Sequence, residues 1–332
     1  MIDDDKLQYI EKIIDELIDS YRESPINHLN INDFEAEQRY LISHKQEYIR
    51  TIKDIVNYYV DSYFNHIKIL EIGCFLGIIS VALSRIGFRV TATDIKEYIS
   101  CRNLQTLFQK NRVDYIESNL RDYQIPFSTE EFDAVIMCEV LEHLNFNPLP
   151  VIKEINRIMK TGGLFYVTLP NIARSVNVLN IGLYGKAIHD PIKDFFTQLN
   201  PKEGNKIVGL HWREYTAEEI KEMLEQMDFK LTCQVYEESG KLDNRTKFKL
   251  SVKKIFRNII NIKPLKRIIF SILFDPYLDP TRKSAQINFA VKKGLCKKNS
   301  ISQMQRLQDM GAASKSDANA MSFALESTCE GG

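Results

Sequence analysis

A largely apolar run early in the chain ends in residues that could hold a cofactor. Residues 68–72 include Glu71 and are followed by Gly73 and Gly77. A strand that breaks into such a turn lets a ligand approach the backbone at the start of a helix. Asp94 closes the next apolar run, where a carboxylate often binds a ribose diol. The spacing therefore predicts a nucleotide-type cofactor at the carboxyl ends of parallel strands.

Two classes of cofactor could use this turn. A nicotinamide dinucleotide needs Gly-x-Gly-x-x-Gly, because its pyrophosphate must approach the backbone closely. Here Cys74 and Phe75 stand between the glycines, and the pattern is Glu71-x-Gly73-x-x-x-Gly77. This pattern resembles motif I of the class I S-adenosylmethionine (SAM)-dependent methyltransferases. An NAD-dependent oxidoreductase is the alternative.

Three further segments resemble the same family in the same order. Residues 115–120 are similar to the segment that flanks the adenine, residues 132–144 to motif IV, and residues 158–171 to the Gly-Gly turn and fifth strand. The resemblance implies an α/β fold with a Rossmann-like seven-stranded sheet. The residues themselves add two features to this fold: the helical spacing of apolar residues predicts N-terminal helices before the sheet, and a basic segment is predicted as an insertion before its last strand.

The resemblance also implies SAM as the cofactor and assigns its parts to different loops. The first glycine turn would hold the methionine, Asp94 the ribose, and the turn after the third strand the adenine. The predicted cofactor-binding residues are Glu71, Gly73, Cys74, Gly77, Asp94, Ile95, Asn119, Leu120, Cys138 and Glu139.

Two histidines are the predicted catalytic residues. A sulfonium methyl is already activated, so the protein must align the acceptor and remove a proton if the acceptor is a hydroxyl. His143 follows the fourth strand, where the methyl group should lie, and imidazole titrates near neutral pH. His211 lies in the long connection after the fifth strand. The alternative for His143 is that it only orders its loop.

A divalent metal ion is a further alternative at the same place. The spacing of Glu139, Glu142 and His143 would place them on one face of a helical turn, where His211 could complete a site. This set resembles that of the small-RNA 3′-terminal ribose methyltransferases and of the ubiquinone-pathway O-methyltransferases. The RNA enzymes have a second histidine where this chain has Leu144, which argues against metal use.

The connection over residues 172–215 is predicted to be a lid or substrate element, because passive loops are seldom so long. Its end, residues 211–216, resembles a run found in bacterial methyltransferases of surface-polysaccharide clusters. Arg213 could bind an anionic or polyhydroxyl acceptor, and Trp212 could stack on a sugar face. Tyr184 is the third predicted substrate contact. The alternative is structural: an Arg–Glu pair and a capping threonine that fix the connection onto the core.

The segment before the last strand predicts contact with a membrane surface. Residues 241–285 form a basic amphipathic insertion, and the stretch 245–274 combines basic side chains with apolar ones and lacks acids. Such a segment could lie on an anionic membrane without spanning it. A helix pair packed on the sheet and an RNA-binding patch are the alternatives.

Composition is typical of an enzyme with a full core. The 332 residues include 44 basic and 44 acidic side chains, so the formal charge of zero does not favour nucleic acid as a partner. Six cysteines without Cys-x-x-Cys spacing suggest reduced thiols. The acidic start and the lack of an apolar stretch of about 20 residues argue against a signal peptide or a spanning helix. We expect a cytoplasmic protein that can associate with the inner face of the membrane.

The chain divides into three predicted regions. Residues 1–66 form a helical cover with helices over 5–21 and 34–64, residues 67–294 form the methyltransferase domain, and residues 295–332 form a polar, disordered tail. Within the domain, a capping box at Thr216–Glu219 opens a helix, and strands six and seven are placed at 229–235 and 286–291.

The sequence therefore predicts a SAM-dependent O-methyltransferase acting on a sugar or lipid-linked glycan. The same-class alternative is a quinone or other small-molecule O-methyltransferase. A metal-dependent RNA ribose methyltransferase is a third possibility. A non-catalytic SAM-fold protein that binds membrane or nucleic acid is a fourth, and the presence of Gly73 and Asp94 argues against it.

Overall fold

A mixed seven-stranded sheet forms the centre of the computed structural model, which describes residues 2–23, 25, 34–185, 210–237 and 285–293. The strand order is β3-β2-β1-β4-β5-β7-β6, with β7 antiparallel to both neighbours and the first five strands parallel. This order confirms the predicted Rossmann-like α/β fold. The strands are β1 (Lys68–Ile72), β2 (Arg89–Asp94), β3 (Asp114–Glu117), β4 (Phe132–Cys138), β5 (Met159–Pro170), β6 (Phe229–Glu237) and β7 (Ala285–Lys292).

Helices precede the sheet and connect its strands. Short 3-10 turns cover Phe64–His66, Leu120–Asp122 and Leu141–His143. The helices are α1 (Asp4–Glu23), α2 (Phe34–Ser43), α3 (Lys45–Tyr58), α4 (Ile78–Ile86), α5 (Lys96–Ile99), α6 (Arg102–Lys110), α7 (Leu149–Ile158), α8 (Ser175–Tyr184) and α9 (Ala217–Gln226).

The N-terminal helices differ from the prediction in one respect. The helix expected over 34–64 is two helices, because His44 leaves helical geometry at φ −100° and ψ 7°. Its Nδ1 lies 2.8 Å from the carbonyl oxygen of Tyr40, which holds the break between α2 and α3. The second helix ends at Tyr58, and Tyr63 beyond it is 80% exposed. The chain therefore turns at His44, a point that later forms part of the site.

The sheet is covered on both faces. Alternate residues of β1 and β4 enter two apolar clusters, so that Ile69 and Ile136 pack with α1, α3 and α4, whereas Leu70 and Val135 pack with α7 and α9. Strands buried on both faces read as continuous apolar runs, as these do. Ligands of such sheets bind outside the carboxyl ends of the strands.

Several predicted segments lie outside the described residues. These are 186–209 of the predicted lid, 241–284 of the basic insertion, and the tail 295–332. The three-region division of the chain stays a prediction. None of the helices in the described ranges has the length and apolar character needed to cross a bilayer.

Candidate functional site

Both glycines of the turn after β1 occupy positions that exclude a side chain. Gly73 has φ +77°, and a Cβ atom there would lie 2.3 Å from Cγ2 of Val140. Gly77 has φ +72° at the start of α4, and its Cβ would lie 2.5 Å from the ring of Phe108. Left-handed backbone and close contact both favour glycine. The pattern noted in the sequence therefore has a direct steric cause.

Asp94 fixes this turn to the end of β2. Its Oδ2 accepts a hydrogen bond from the backbone N–H of Phe75, and its Oδ1 accepts one from Ile95, each at 2.8 Å. The N–H groups of Gly73 and Cys74 also donate to the carbonyl of residue 93, at 2.9 and 3.1 Å. Burial raises the pKa of Asp94 to about 6. Asp94 is therefore an anchor of the loop as well as a candidate ribose ligand.

Glu71 lies beneath the same turn. It is 3% exposed and accepts a hydrogen bond from the hydroxyl of Ser80 on α4. Burial raises the pKa of Glu71 to about 8, so the protonated form predominates at neutral pH. Its contact with Ser80 joins β1 to the helix that the turn opens.

A cavity of about 590 Å³ opens beside the turn, at the carboxyl ends of β1 and β4. Five predicted cofactor residues line it, namely Glu71, Gly73, Cys74, Cys138 and Glu139. The other five predicted residues do not appear in this lining. One of those five, Gly77, is the N-cap residue of α4 and has no side chain that could contact a ligand.

The predicted adenine residues lie at the turn after β3. The side chain of Asn119 accepts a hydrogen bond from the N–H of Arg121 at 3.1 Å, and Leu120 is 9% exposed. Asn119 therefore caps the turn that follows it, and the adenine contact stays a prediction.

The N-terminal helices supply a wall of the cavity that sequence reasoning missed. Tyr40, His44, Glu47 and Arg50 from α2, α3 and the break between them all line it. The Tyr40 ring stacks on His44 at a centroid distance of 3.9 Å and meets the ring of Phe75 edge-on at 5.3 Å. These helices were predicted to be a cover alone. The sequence offered one signal for this wall, namely the polar residues that interrupt the apolar pattern of these helices.

A buried polar network holds this wall against the sheet. Arg50 donates from Nε to Asp54 Oδ2 at 2.8 Å and also pairs with Glu237 at the end of β6. The hydroxyl of Tyr166 on β5 donates to the same Asp54 oxygen at 3.0 Å. Burial and the nearby Glu237 raise the pKa of Glu47 to about 7. The network fixes α3 relative to β5 and β6.

Glu142, His143 and His211 meet at the carboxyl edge of the sheet. One ligand-type atom from each lies within 4.8 Å of the others. The Nε2 atoms of His143 and His211 lie 3.8 and 3.9 Å from Glu142 Oε1. Glu142 is 0% exposed, and within the described ranges its two carboxylate oxygens have no hydrogen-bond partner. Burial and the adjacent Glu139 raise the pKa of Glu142 well above its usual range.

The Nδ1 atoms of His143 and His211 each lie next to a hydrogen-bond acceptor. Nδ1 of His143 lies 2.9 Å from the carbonyl oxygen of Leu210, and Nδ1 of His211 lies 3.3 Å from Glu214 Oε1. Metal-binding histidines commonly have this arrangement, with the second ring nitrogen donating to a carbonyl or carboxylate. Two imidazoles and one buried carboxylate therefore form a donor set that fits a divalent ion.

Glu139 does not share a helical face with Glu142 and His143, so this geometric prediction was wrong. Glu139 has φ +53° and precedes the 3-10 turn Leu141–His143. Its backbone and side chain bond Thr168 of β5, at 3.0 and 3.2 Å. Glu139 lines the cavity, and burial with the nearby Glu47 raises its pKa.

The two predicted catalytic histidines differ in position. His211 lines the cavity, together with Glu139 and Arg174. His143 is absent from the cavity lining, and its ring meets that of His211 edge-on at a centroid distance of 4.9 Å. Of the two, His211 therefore presents its ring to a ligand in the cavity.

The predicted substrate residues have mainly structural contacts here. Arg213 pairs with Glu219 Oε1 at 2.7 Å and lies over the Tyr215 ring at 4.9 Å. The N–H of Trp212 donates to the carbonyl of Glu142 at 2.8 Å. The side chain of Tyr184 lies outside the described residues. Substrate binding by all three stays a prediction.

The chain was compared with known proteins. A family model described as a methyltransferase domain matches residues 70–167. The ubiquinone biosynthesis O-methyltransferase of Xanthomonas campestris pv. campestris (strain B100) is 32% identical over 105 residues, 31% of this chain and 43% of that protein. The protein of the same name from Proteus mirabilis (strain HI4320) is 26% identical over 165 residues, 45% of this chain and 66% of that protein.

One solved structure is similar over a larger share of the chain. It is a SAM-dependent methyltransferase from Methanosarcina mazei, 19% identical, with a TM-score of 0.42, and the match covers 68% of this chain and 92% of that one. In sequence, the chain spans 43% of the length of the first curated relatives that it matches.

Proposed function

For a chain that carries a class I SAM-dependent methyltransferase domain, we propose transfer of the SAM methyl group to a hydroxyl oxygen. One observation carries this proposal. The cavity beside the glycine turn reaches His211, whose Nε2 lies 3.9 Å from the buried carboxylate of Glu142. The predicted cofactor-binding residues and the imidazole ring of His211, which can accept a proton, therefore line the same cavity.

The glycine turn and the polar lining of the cavity support SAM as the ligand. The turn at Gly73 leaves no room for a side chain beside Val140. The lining combines acidic side chains, among them Glu47 and Glu139, with basic ones, among them Lys45 and Arg174, and SAM itself carries both charges. Residues of this turn with Cys138 and Glu139 would hold the methionine, and Asp94 would accept from the ribose. When bound, SAM supplies a methyl group that is already activated for transfer to a nucleophile.

The chain itself must orient the acceptor, exclude water and take a proton. Tyr40 and His44 line the cavity, and the Tyr40 ring contacts Phe75 of the turn; with the ligands bound, this wall would help to exclude water. Nδ1 of His211 lies 3.3 Å from Glu214 Oε1, and the proton of the acceptor hydroxyl would pass to Nε2. Holding the acceptor in line with the methyl group supplies a further large part of the rate.

A divalent ion would be held by Glu142, His143 and His211 if the site uses one. The buried carboxylate without a hydrogen-bond partner in the described residues is the observation that fits such an ion. The ion would supply Lewis-acid polarisation of a bound hydroxyl. With the ion bound, Nε2 of His211 would be a ligand and would not accept the proton; the ion would instead make the bound hydroxyl more acidic.

For the acceptor, we propose a phenolic hydroxyl of the kind found on quinol-type rings. The support is the similarity over the domain to proteins named ubiquinone biosynthesis O-methyltransferase. The sugar or lipid-linked glycan predicted from the sequence relied on Trp212, Arg213 and the basic insertion; of these, Arg213 pairs with Glu219. A glycan acceptor therefore stays a prediction without further support.

We also propose that residues 245–274 dock the protein on an anionic membrane. Glu237 and Ala285, which flank the insertion on β6 and β7, both line the cavity. The insertion therefore leaves and re-enters the described fold beside the cavity. An acceptor with an apolar tail would be available at such a surface.

The test begins with cofactor choice and then compares acceptors. Calorimetry should detect SAM binding and no NAD binding. Transfer from methyl-labelled SAM is then measured to a catechol-type phenol carrying a short prenyl chain, and to a sugar nucleotide as the comparison. Label in the phenol supports the proposal. SAM binding with label only in the sugar would overturn the acceptor class, and absence of SAM binding would overturn the function.

A further inference from the structure

We infer that Glu214 is a positioning residue that holds His211 with its Nε2 atom directed towards Glu142. The inference rests on the proposed function, because it concerns the same histidine. Glu214 is 7% exposed, and its Oε1 lies 3.3 Å from His211 Nδ1. An ionised carboxylate only accepts hydrogen bonds, so the proton in this contact belongs to Nδ1. The lone pair of a neutral ring is then on Nε2.

Glu214 is itself held from the start of α8. Asn177 is fully buried and donates from Nδ2 to Glu214 Oε2 at 3.0 Å. Arg174, which precedes α8, approaches Glu214 Oε1 at 3.5 Å. Two donors from the start of α8 therefore converge on one carboxylate, and Arg174 offsets its buried charge.

The Nε2 atom of the His211 ring faces Glu142. Nε2 of His211 lies 3.9 Å from Glu142 Oε1, and the ring lines the cavity. Glu214 therefore contacts one ring nitrogen of His211, and the other ring nitrogen faces Glu142. This orientation serves a histidine that accepts a proton, and it equally serves one that binds an ion.

These contacts suggest variants that distinguish a Glu214 that orients His211 from a Glu214 that only packs in the core. Glu214→Ala removes the acceptor of the Nδ1 proton. Glu214→Gln keeps the shape but places its amide NH2 either against the NH2 of Asn177 or against the Nδ1–H of His211, so that two donors face each other in either orientation. Adding Asn177→Asp supplies an acceptor for that amide and leaves the glutamine oxygen for His211. Glu225→Ala, on the exposed face of α9, is the matched control.

Turnover and cofactor affinity are measured for each variant. Loss of a group that orients such a histidine typically costs about 10- to 100-fold in activity. We expect a loss of turnover of this size for Glu214→Ala, and we expect Glu214→Gln to lower turnover as well. We expect partial recovery in Glu214→Gln/Asn177→Asp. The Kd for SAM should stay within about twofold of wild type in all of them, because the contact does not involve the glycine turn.

A second measurement does not depend on activity. Nitrogen-15 histidine spectra report which ring nitrogen carries the proton, and His211→Gln identifies the signal. The Nδ1–H form of His211 should predominate in wild type and Glu225→Ala, decline in Glu214→Ala, and return in the double variant. If wild type methylates no acceptor, the proposed function fails while the spectra still decide this inference.

Two results would overturn the inference. One is a Glu214→Ala protein with the wild-type tautomer and the turnover of Glu225→Ala. The other is parallel loss of melting temperature, SAM binding and turnover in Glu214→Ala with no recovery in the double variant, which would make Glu214 a packing residue only.

Discussion

Replacing Asp94 by alanine should weaken SAM binding by about 2–3 kcal/mol, or about 30- to 140-fold in Kd. Each carboxylate oxygen accepts one backbone N–H at 2.8 Å, from Phe75 and Ile95. An oxygen with a second lone pair can still accept from a ribose hydroxyl. Hydrogen bonds to a charged group are worth roughly 1.5–3 kcal/mol each, and the alanine variant loses the cofactor contacts and the loop anchor together.

Asp94→Asn separates these two losses. Its single carbonyl oxygen can accept from Phe75 or from Ile95, whereas its NH2 group cannot accept from the other. The side chain of residue 94 then contributes one hydrogen bond in place of two, and we expect an affinity between those of wild type and Asp94→Ala. Calorimetry gives the three affinities, and thermal melting shows how much of each change is a loss of folding.

The affinity for SAM should depend on pH, because Asp94 gains and loses its charge as the pH changes. Burial raises the pKa of Asp94 to about 6, so the carboxylate is protonated as the pH falls through that value. Ribose hydroxyls favour the ionised acceptor, and SAM affinity should therefore fall below about pH 6 in wild type. The affinity of Asp94→Asn should vary less over the same range. Unchanged affinity in a folded Asp94→Ala protein would refute the assignment.

Three other predictions concern the rest of the site. If Glu142, whose carboxylate has no hydrogen-bond partner among the described residues, holds an ion together with the two Nε2 atoms, EDTA should slow methyl transfer and a divalent ion should restore it; full activity in EDTA would exclude the ion and leave His211 as the proton acceptor. His211→Ala should lower turnover by roughly 10²–10⁴-fold with SAM affinity retained, and normal turnover would remove it from the mechanism. Vesicle cosedimentation should require anionic lipid and weaken with salt, since each basic residue contributes roughly 1 kcal/mol within a Debye length of about 8 Å; replacing Lys253, Lys254 and Arg257 by Gln should release the protein, and binding to neutral vesicles would contradict this.

The elements predicted well from the sequence are those set by local rules. Thr216 and Glu219 exchange side-chain and backbone hydrogen bonds as the capping box requires. Gly73 and Gly77 have the positive φ values that their turn implied. In each case the cause lies within a few residues, so the pattern is sufficient to identify the structure.

The errors arise where one residue departs from its local pattern. The spacing of Glu139, Glu142 and His143 suits a helical turn, but Glu139 bonds Thr168 on the adjacent strand and takes a left-handed backbone. In α2 and α3 the apolar pattern continues through His44, although its ring bonds the carbonyl of Tyr40 and the helix breaks there. In both cases the backbone of a single residue leaves helical geometry, and the spacing of the side chains around it does not report this.

The site depends on contacts between segments far apart in sequence. Residues 211–214 meet the turn at Glu142 because the N–H of Trp212 donates to its carbonyl, and this contact brings His211 to the cluster. Spacing within either segment carries no information about that meeting. Each segment nevertheless has an independent reason for its conformation, namely the strand end before Glu142 and the capping box after residue 214. The site is therefore assembled from locally stable pieces, and a variant such as Glu214→Ala can disturb its chemistry without unfolding them.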